Sequence, residues 1–359
     1  MYTRKFPQMR NCKFNQAISE ATVQAMLRDA SVCILGEGVD NQEGIFGTTK
    51  EAFDRFGAHR VVETPLSENA VTGMGLGMAL AGLRPIMVHA RNDFLMLAMD
   101  QIVNHIAKWS YLQRGNASVS LVIRALIGRG WGQAAQHSQS LQALFAHIPG
   151  LKVVMPSTPY TAKGLLLSSI FDGAPVVFLE HRWLYGKECD VPKEDYRVAL
   201  GKAVCQRPGR DITIVASSLM VYEALEAADV LCKDGIDVEV IDLLTICPLD
   251  EDAILASVRK TGRVIIADTG WKKFGISAEI AALIGERAFG QLKAPVVRIG
   301  LPDAPTPCSS VLEDAYYPGE RDIIKAAKAL MRKGEKKSKA AREFTNIDNM
   351  SHPNFSGPF

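Results

Sequence analysis

Two short stretches carry the residue types that proton-transfer chemistry needs. In Glu63-Thr-Pro-Leu-Ser-Glu68 an apolar, β-branched run gives way to a helical pattern whose first residue is a carboxylate, with Ser67 placed as its N-cap. Ligands gather at the carboxyl ends of strands in parallel sheets, so Glu68 stands where an acid or base could act. Composition alone supports a plainer role, a glutamate that complements the helix dipole and stabilises by about 0.3–1 kcal/mol. The second stretch, Gln136-His137-Ser138, follows the glycine-rich Gly128-Arg-Gly130-Trp-Gly132. It sets an imidazole on a loop beyond a strand end, a position open to proton shuttling and to a purely structural role alike. Phe94 and Met96, at the start of a long helical pattern, read as core residues by default.

Other chemistries lack their signatures. No G-x-x-x-x-G-K-[ST], H-E-x-x-H or G-x-S-x-G occurs, which leaves nucleotide hydrolysis, zinc proteolysis and ordinary serine hydrolysis without their usual marks. Gly73-Met-Gly75-Leu-Gly77 has the glycines of a dinucleotide-binding turn but sits inside a helical pattern, without the strand that such a turn follows. Gly73, Gly77 and Ala81 instead line one helix face suited to close packing or a subunit contact. The seven cysteines are scattered and never spaced C-x-x-C, so reduced thiols are expected, with neither disulfides nor a metal site.

The elements that would position Glu68 and His137 follow an alternating pattern. Strands are predicted at 32–35, 59–63, 85–89, 119–124, 152–155 and 175–180, with helices near 49–56, 68–81, 93–113, 140–146 and 159–171. Pro159 suits a first helical turn. Residues 185–201 are charged and proline-containing and read as a linker. A second series follows, with strands at 211–216, 237–243, 263–267 and 295–299 and helices at 219–233, 250–260, 277–288 and 319–331. The reading is an α/β protein with two parallel-sheet domains, 14–184 and 202–331, and a disordered Lys/Ser/Asn-rich tail at 332–359.

With 359 residues, 47% hydrophobic and 22% charged, the chain can fill two such cores. Its net charge of +2 offers no global basic field for nucleic acid or an anionic membrane. No apolar run reaches the roughly 20 residues of a bilayer span. The basic first residues lack an apolar stretch behind them, so no secretory signal is expected and a cytoplasmic location is.

Five strings carry a resemblance in order: GEGVDNQEGIFGTT from Gly36, VVETPLSENAVTGMGLGMALAGLRPI from Val61, MDQIVNHIAK from Met99, AAQHSQS from Ala134 and PGLKVVMPSTPYTAKGLL from Pro149. Together they resemble the beta subunits of thiamin-diphosphate-dependent 2-oxo acid dehydrogenases, the pyruvate and branched-chain decarboxylase components of the transketolase superfamily. The resemblance runs from about Phe14 to Met331, through Asp268-Thr-Gly-Trp271 and Phe274-Gly275.

The resemblance implies an N-terminal pyrimidine-binding domain, a transketolase-type C-terminal domain and a cofactor shared between subunits. The diphosphate-site signature G-D-G is absent, so the diphosphate and its Mg²⁺ are expected on a partner alpha subunit, in an alpha2beta2 heterotetramer. Glu68 matches the glutamate that bonds the pyrimidine nitrogen and drives ylid formation, Phe94 the aromatic stacked on that ring, Glu37 a second glutamate beside it, and His137 a histidine on the substrate side. A monovalent cation held by main-chain carbonyls would fall at 169–174.

Two departures bear on substrate: Leu97 replaces a usual polar residue, and Arg129 and Trp131 beside His137 point to a pocket for something other than plain pyruvate; a third, Asp268 where relatives often have Glu, bears on the subunit contact. The leading reading is decarboxylation of a 2-oxo acid with transfer of the acyl group to a lipoyl carrier, and hence a lipoyl acyltransferase among the partners. A non-oxidative carboligase or split-transketolase half is the alternative enzyme; a catalytically silent scaffold is the alternative outside enzymes.

Overall fold

The computed structural model describes residues 8–41, 44–129 and 132–332. Its elements, in chain order, begin with β1 (Met9–Lys13), α1 (Phe14–Arg28), β2 (Val32–Gly36), α2 (Lys50–Phe56), β3 (Val61–Glu63), α3 (Glu68–Leu80), β4 (Arg84–His89), α4 (Trp109–Leu112), β5 (Val122–Ile127), α5 (Gln142–Ala146), β6 (Lys152–Val154), α6 (Pro159–Ile170), β7 (Val176–His181) and β8 (Glu188–Pro192). They continue with β9 (Val204–Arg207), β10 (Ile212–Ala216), α7 (Leu219–Lys233), β11 (Val238–Asp242), β12 (Thr245–Cys247), α8 (Glu251–Thr261), β13 (Val264–Trp271), α9 (Ile276–Ala288), β14 (Val297–Leu301), α10 (Ser310–Tyr316) and α11 (Glu320–Met331). The chain divides into two compact α/β units, and Arg129–Ala143, expected within the first domain, belongs to the second. The first comprises Met1–Gly128, Leu144–Lys202 and Leu244–Leu249; the second comprises Arg129–Ala143, Ala203–Leu243 and Asp250–Phe359.

The first unit is built on a seven-stranded sheet of order β12-β6-β7-β5-β4-β2-β3, parallel except for β12. Its central strands are buried along their whole length, which is why they read as unbroken apolar runs instead of alternating ones. Helix α3 lies close to β4 because Gly75 lets it: a Cβ there would sit 2.4 Å from Met87 Sδ. Helix α6 starts as its sequence promised. Thr158 Oγ1 accepts the Thr161 N–H at 3.1 Å, the Thr161 side chain accepts the Thr158 N–H at 2.9 Å, and Pro159 fills the first turn. Ser67 does occupy the N-cap of α3, but its side chain makes no capping bond.

Three stretches of this unit differ from the sequence reading. Residues 185–201 are not a free linker, because β8 pairs antiparallel with β1, burying Val191 against Cys12 and Ala17. The segment then straps onto α6 through Tyr196 Oη to the Tyr160 carbonyl at 2.6 Å and Arg197 Nη1 to the Leu167 carbonyl at 2.7 Å. Its charged residues face outward while alternate ones pack, so composition alone hid a strand. The single helix expected at 93–113 is broken into a 3₁₀ segment (Asn92–Ala98), a π-helical turn (Asp100–Ile106) and the short α4. Buried polar groups at Arg91, Asn92 and Asp93, with Asn92 Nδ2 bonded to Asp93 Oδ2 at 3.0 Å, compete with regular helix bonds there. Helix α1 has no counterpart in the sequence reading.

A fully buried ion pair braces this sheet. Arg124 on β5 donates Nε to Glu180 Oε1 at 2.6 Å and Nη2 to Glu180 Oε2 at 3.0 Å, and Tyr185 Oη adds a bond to Oε2 at 2.6 Å. Thr48 Oγ1 takes a further guanidinium N–H at 3.1 Å. Such a cluster holds its charges only because nearly every oxygen has a donor.

The second unit holds a five-stranded sheet of order β14-β13-β10-β11-β9, with β9 antiparallel at one edge. Its core is formed by α7, α11 and the inner strands, through Ile212, Ile214, Val238, Val240, Ile265 and Ile323 among others. Asp250 caps α8 by accepting the Ala253 N–H, and Gly262 ends that helix in the left-handed conformation. Among the described residues no helix is long and apolar enough to cross a membrane. The expected tail beyond Arg332 and Trp131 lie outside the described residues.

Candidate active site

Three carboxylates meet at the carboxyl ends of β2 and β3. Strand β2 stops at Gly36, where a Cβ would fall 2.2 Å from the Val88 carbonyl oxygen, so only glycine lets the chain leave the sheet beside β4. Glu37 comes next, half-buried. Glu63, the last residue of β3, turns back and accepts the Gly38 N–H and the Val39 N–H, each at 2.9 Å. The turn after Glu37 is thereby tied to the neighbouring strand. Glu68 opens α3, half-buried in the same region. Burial first, then repulsion from the Glu68 and Glu63 carboxylates, push the Glu37 carboxyl above the ordinary range.

Among the described residues neither Glu37 nor Glu68 has a hydrogen-bond donor or a cation in this chain. Two half-buried carboxylates close enough to repel, both without donors, form an acceptor pair that suits a ligand bringing N–H groups. Phe94 sits half-buried in the 3₁₀ segment that packs against α3, in the same unit as the two glutamates. His89, at the end of β4, is buried with no partner for Nε2 among the described residues, and burial pushes its imidazole down to about 4, so it is neutral at ordinary pH.

His137 belongs to the second unit, in the segment 132–141 that precedes α5. Its backbone N–H turns back to the Ala134 carbonyl at 3.4 Å, and its side chain is half-buried. Arg129 lies over the Tyr317 ring, 4.7 Å from its centroid. Leu97, in the Phe94 segment, is exposed. Sequence reasoning passed over Glu63 as a ligand of backbone amides and His89 as a buried neutral imidazole. The first could have been suspected from its place one turn before Glu68; the second leaves no sequence signal.

Among the described residues no group of three or more His, Cys, Asp or Glu side chains could hold a metal ion. In the segment proposed for a monovalent cation, Arg84 Nη1 donates to the Ile170 carbonyl at 3.2 Å and the Asp172 carbonyl at 3.5 Å. Lys152 Nζ holds the Asp172 carboxylate at 2.7 Å.

Comparison with known proteins matches two families along the chain. Residues 10–187 match the family described as transketolase, pyrimidine binding domain, and residues 201–323 match transketolase, C-terminal domain. The chain is 44% identical over 336 residues to the acetoin:2,6-dichlorophenolindophenol oxidoreductase subunit beta of Cupriavidus necator, covering 91% of this chain and 99% of that protein. It is 42% identical over 317 residues to the pyruvate dehydrogenase E1 component subunit beta of Bacillus subtilis, covering 88% and 97%. The 2-oxoisovalerate dehydrogenase subunit beta of the same organism is 42% identical over 312 residues, covering 87% and 95%. A solved structure described as a split gene transketolase, inactive beta4 tetramer, shares the fold at a TM-score of 0.70 and 22% identity, covering 89% of this chain and 97% of that one. By these matches along both domains, the chain belongs to the family of beta subunits of thiamin-dependent 2-oxo acid dehydrogenases, within the transketolase superfamily.

Proposed function

We propose that this chain is the pyrimidine-binding half of a two-subunit oxidoreductase that cleaves the C–C bond next to a ketone carbonyl, in a 2-oxo acid or an acetoin-like hydroxyketone. The observation that carries the reading is the donor-less pair of Glu37 and Glu68 at the ends of β2 and β3. An aminopyrimidine offers N–H donors and a basic ring nitrogen, which is what two unpartnered carboxylates lack. Thiamin diphosphate, when bound, supplies an acidic thiazolium carbon that can act as a nucleophile toward a carbonyl.

Each residue then has a defined task. Glu68 holds a proton at the pyrimidine ring nitrogen, so that the exocyclic amine can act as a base. Glu37 borders the same ring as a second acceptor, its carboxyl raised above the ordinary range by burial and by the neighbouring Glu68 and Glu63 carboxylates. Phe94 stacks on the ring face and excludes water. His137 orients the substrate carboxylate or hydroxyl and moves protons on that side.

The diphosphate and Mg²⁺ belong to an alpha subunit, since this sequence lacks the G-D-G signature. The assembly is an alpha2beta2 heterotetramer with a lipoyl acyltransferase as its acyl acceptor, in the cytoplasm. A second reading, a non-oxidative carboligase, uses the same residues and differs only in the acceptor. The experiment is copurification with the cognate alpha subunit, followed by a screen of 2-oxo acids and acetoin with an artificial electron acceptor and with aldehydes. Turnover with the electron acceptor supports the oxidative reading; turnover only with aldehydes replaces it, and no turnover with either overturns it.

A further inference from the structure

The loop that carries His137 is anchored through an extended stretch. Ser138, Ser140 and Gln142 are buried, and they alternate with the half-buried Gln139 and Leu141. The anchor is Gln142, whose Nε2 donates to Asp268 Oδ1 at 2.8 Å and lies 3.4 Å from Thr269 Oγ1. Asp268 is the fifth residue of β13, 1% exposed. Gly270 makes room for this contact: a Cβ there would stand 2.8 Å from Gln142 Nε2, 3.1 Å from Asp268 Oδ2 and 3.3 Å from the Ser140 carbonyl oxygen. Among the described residues, two acceptors in the cluster, Asp268 Oδ2 and Gln142 Oε1, are buried without a hydrogen-bond donor. A buried carboxylate with one oxygen unsatisfied is costly to maintain, which makes its contact with Gln142 worth a stated role.

We infer that Asp268 and Gln142 are a positioning pair: their buried contact fixes the segment that carries His137 within the C-terminal unit and so sets where that imidazole stands. The inference rests on the reading of His137 given above. Asp268 touches neither substrate nor cofactor in this account; it acts through Gln142.

Among the described residues no charged side chain acts on Asp268. The groups that do are Gln142, the first residue of α5, and the N–H groups of Thr269 and Gly270 from its own strand, with Gly275 packed beside it at the start of α9. Burial outweighs these donors and pushes the carboxyl up to about 6. If the loop lifts, water reaches the carboxylate and the group returns toward its ordinary range. A group whose value is raised in the closed state favours closure when protonated, and that contribution is lost as pH rises through about 6. The loop is therefore held more tightly on the acid side of that value than on the alkaline side. A single proton on Oδ2 also supplies the donor that the cluster lacks.

The test is hydrogen exchange of the 132–143 peptides in the enzyme assembled with its alpha subunit, with intrinsic exchange rates corrected for pH. Wild-type protection is expected to fall several-fold between pH 5.5 and 8, and Asp268→Asn to make it flat. Gln142→Ala is expected to lose loop protection at every pH and to raise the substrate KM more than it lowers kcat. The double variant Asp268→Asn with Gln142→Glu exchanges donor and acceptor, and is expected to restore protection and KM toward wild type relative to Gln142→Ala. A swap no better than Gln142→Ala, or loop protection unchanged in Gln142→Ala, overturns the inference. Thermal unfolding of each variant separates a local loss from a general failure to fold. Because exchange is read without turnover, its outcome does not depend on whether Glu68 performs the proton chemistry proposed for it.

Discussion

Glu63 accepts the backbone N–H groups of both Gly38 and Val39 at 2.9 Å, so a carboxylate at the end of one strand shapes the turn leaving its neighbour. That turn carries Glu37. Glu63→Gln keeps the size of the side chain but halves its acceptors and removes the charge. Because Glu63 is exposed, the stability cost is expected to stay near ~1 kcal/mol, while cofactor affinity of the assembled enzyme falls more than turnover at saturating cofactor. Calorimetric titration of cofactor into the assembled variant checks this.

His89 makes a pH prediction whose sign is fixed by burial. Its imidazole titrates near 4 when folded, against an ordinary 6.5. A depressed histidine contributes stability that is complete above about 6.5 and lost as pH falls toward 4, amounting to about 3 kcal/mol. His89→Phe is therefore expected to flatten the acid limb of the unfolding profile between these values. Denaturant midpoints measured from pH 7 to pH 4 give the comparison.

The Arg124–Glu180 pair predicts a strong non-additivity. Arg124→Met leaves a carboxylate fully buried beside Tyr185, with an expected loss of about 3–5 kcal/mol. Arg124→Met combined with Glu180→Leu removes both charges and is expected to recover part of that loss. Unfolding midpoints of wild type, Arg124→Met, Glu180→Leu and the double variant decide it; simple addition of the two single losses would contradict the buried-pair reading.

Much of this arrangement is legible in the sequence because strands buried on both faces announce themselves as apolar runs. Val122–Ile127 and Val176–His181 stand near their expected places for that reason. Strand β8 is not legible, since its pairing with β1 joins residues such as Cys12 and Cys189 that are far apart in the chain and individually unremarkable. The break at 92–106 depends on Asn92 and Asp93 being buried, which helical periodicity cannot report. Glu68 was visible because a strand end, a cap position and a carboxylate coincide there. The Asp268–Gln142 contact was not, because neither residue type nor spacing links a loop at 142 to a strand at 268.

Helix α3 separates two roles for its glycines. Gly75 has no room, with Met87 Sδ 2.4 Å from its Cβ position, whereas nothing lies within 4 Å of the same position at Gly77. Gly75→Leu is expected to impair folding of this chain, overpacking costing about 1–3 kcal/mol or more. Gly77→Leu is expected to leave the isolated chain's unfolding midpoint unchanged, apart from a small gain in helix propensity, and to weaken assembly with the alpha subunit. Sedimentation of the mixed subunits reads the second effect, and an unaltered assembly would remove Gly77 from the interface.

The central claim is that Glu68 holds the proton that lets the pyrimidine amine act as a base. In the enzyme assembled with its alpha subunit, hydrogen–deuterium exchange at the thiazolium carbon of bound thiamin diphosphate reads that step without any substrate. Glu68→Gln fills the same space and is expected to leave assembly intact while slowing the exchange by about 10²–10⁴-fold, the range of general acid–base contributions. Exchange at the wild-type rate, with the cofactor bound and turnover lost, would contradict the account and return Glu68 to the role of a helix-dipole carboxylate.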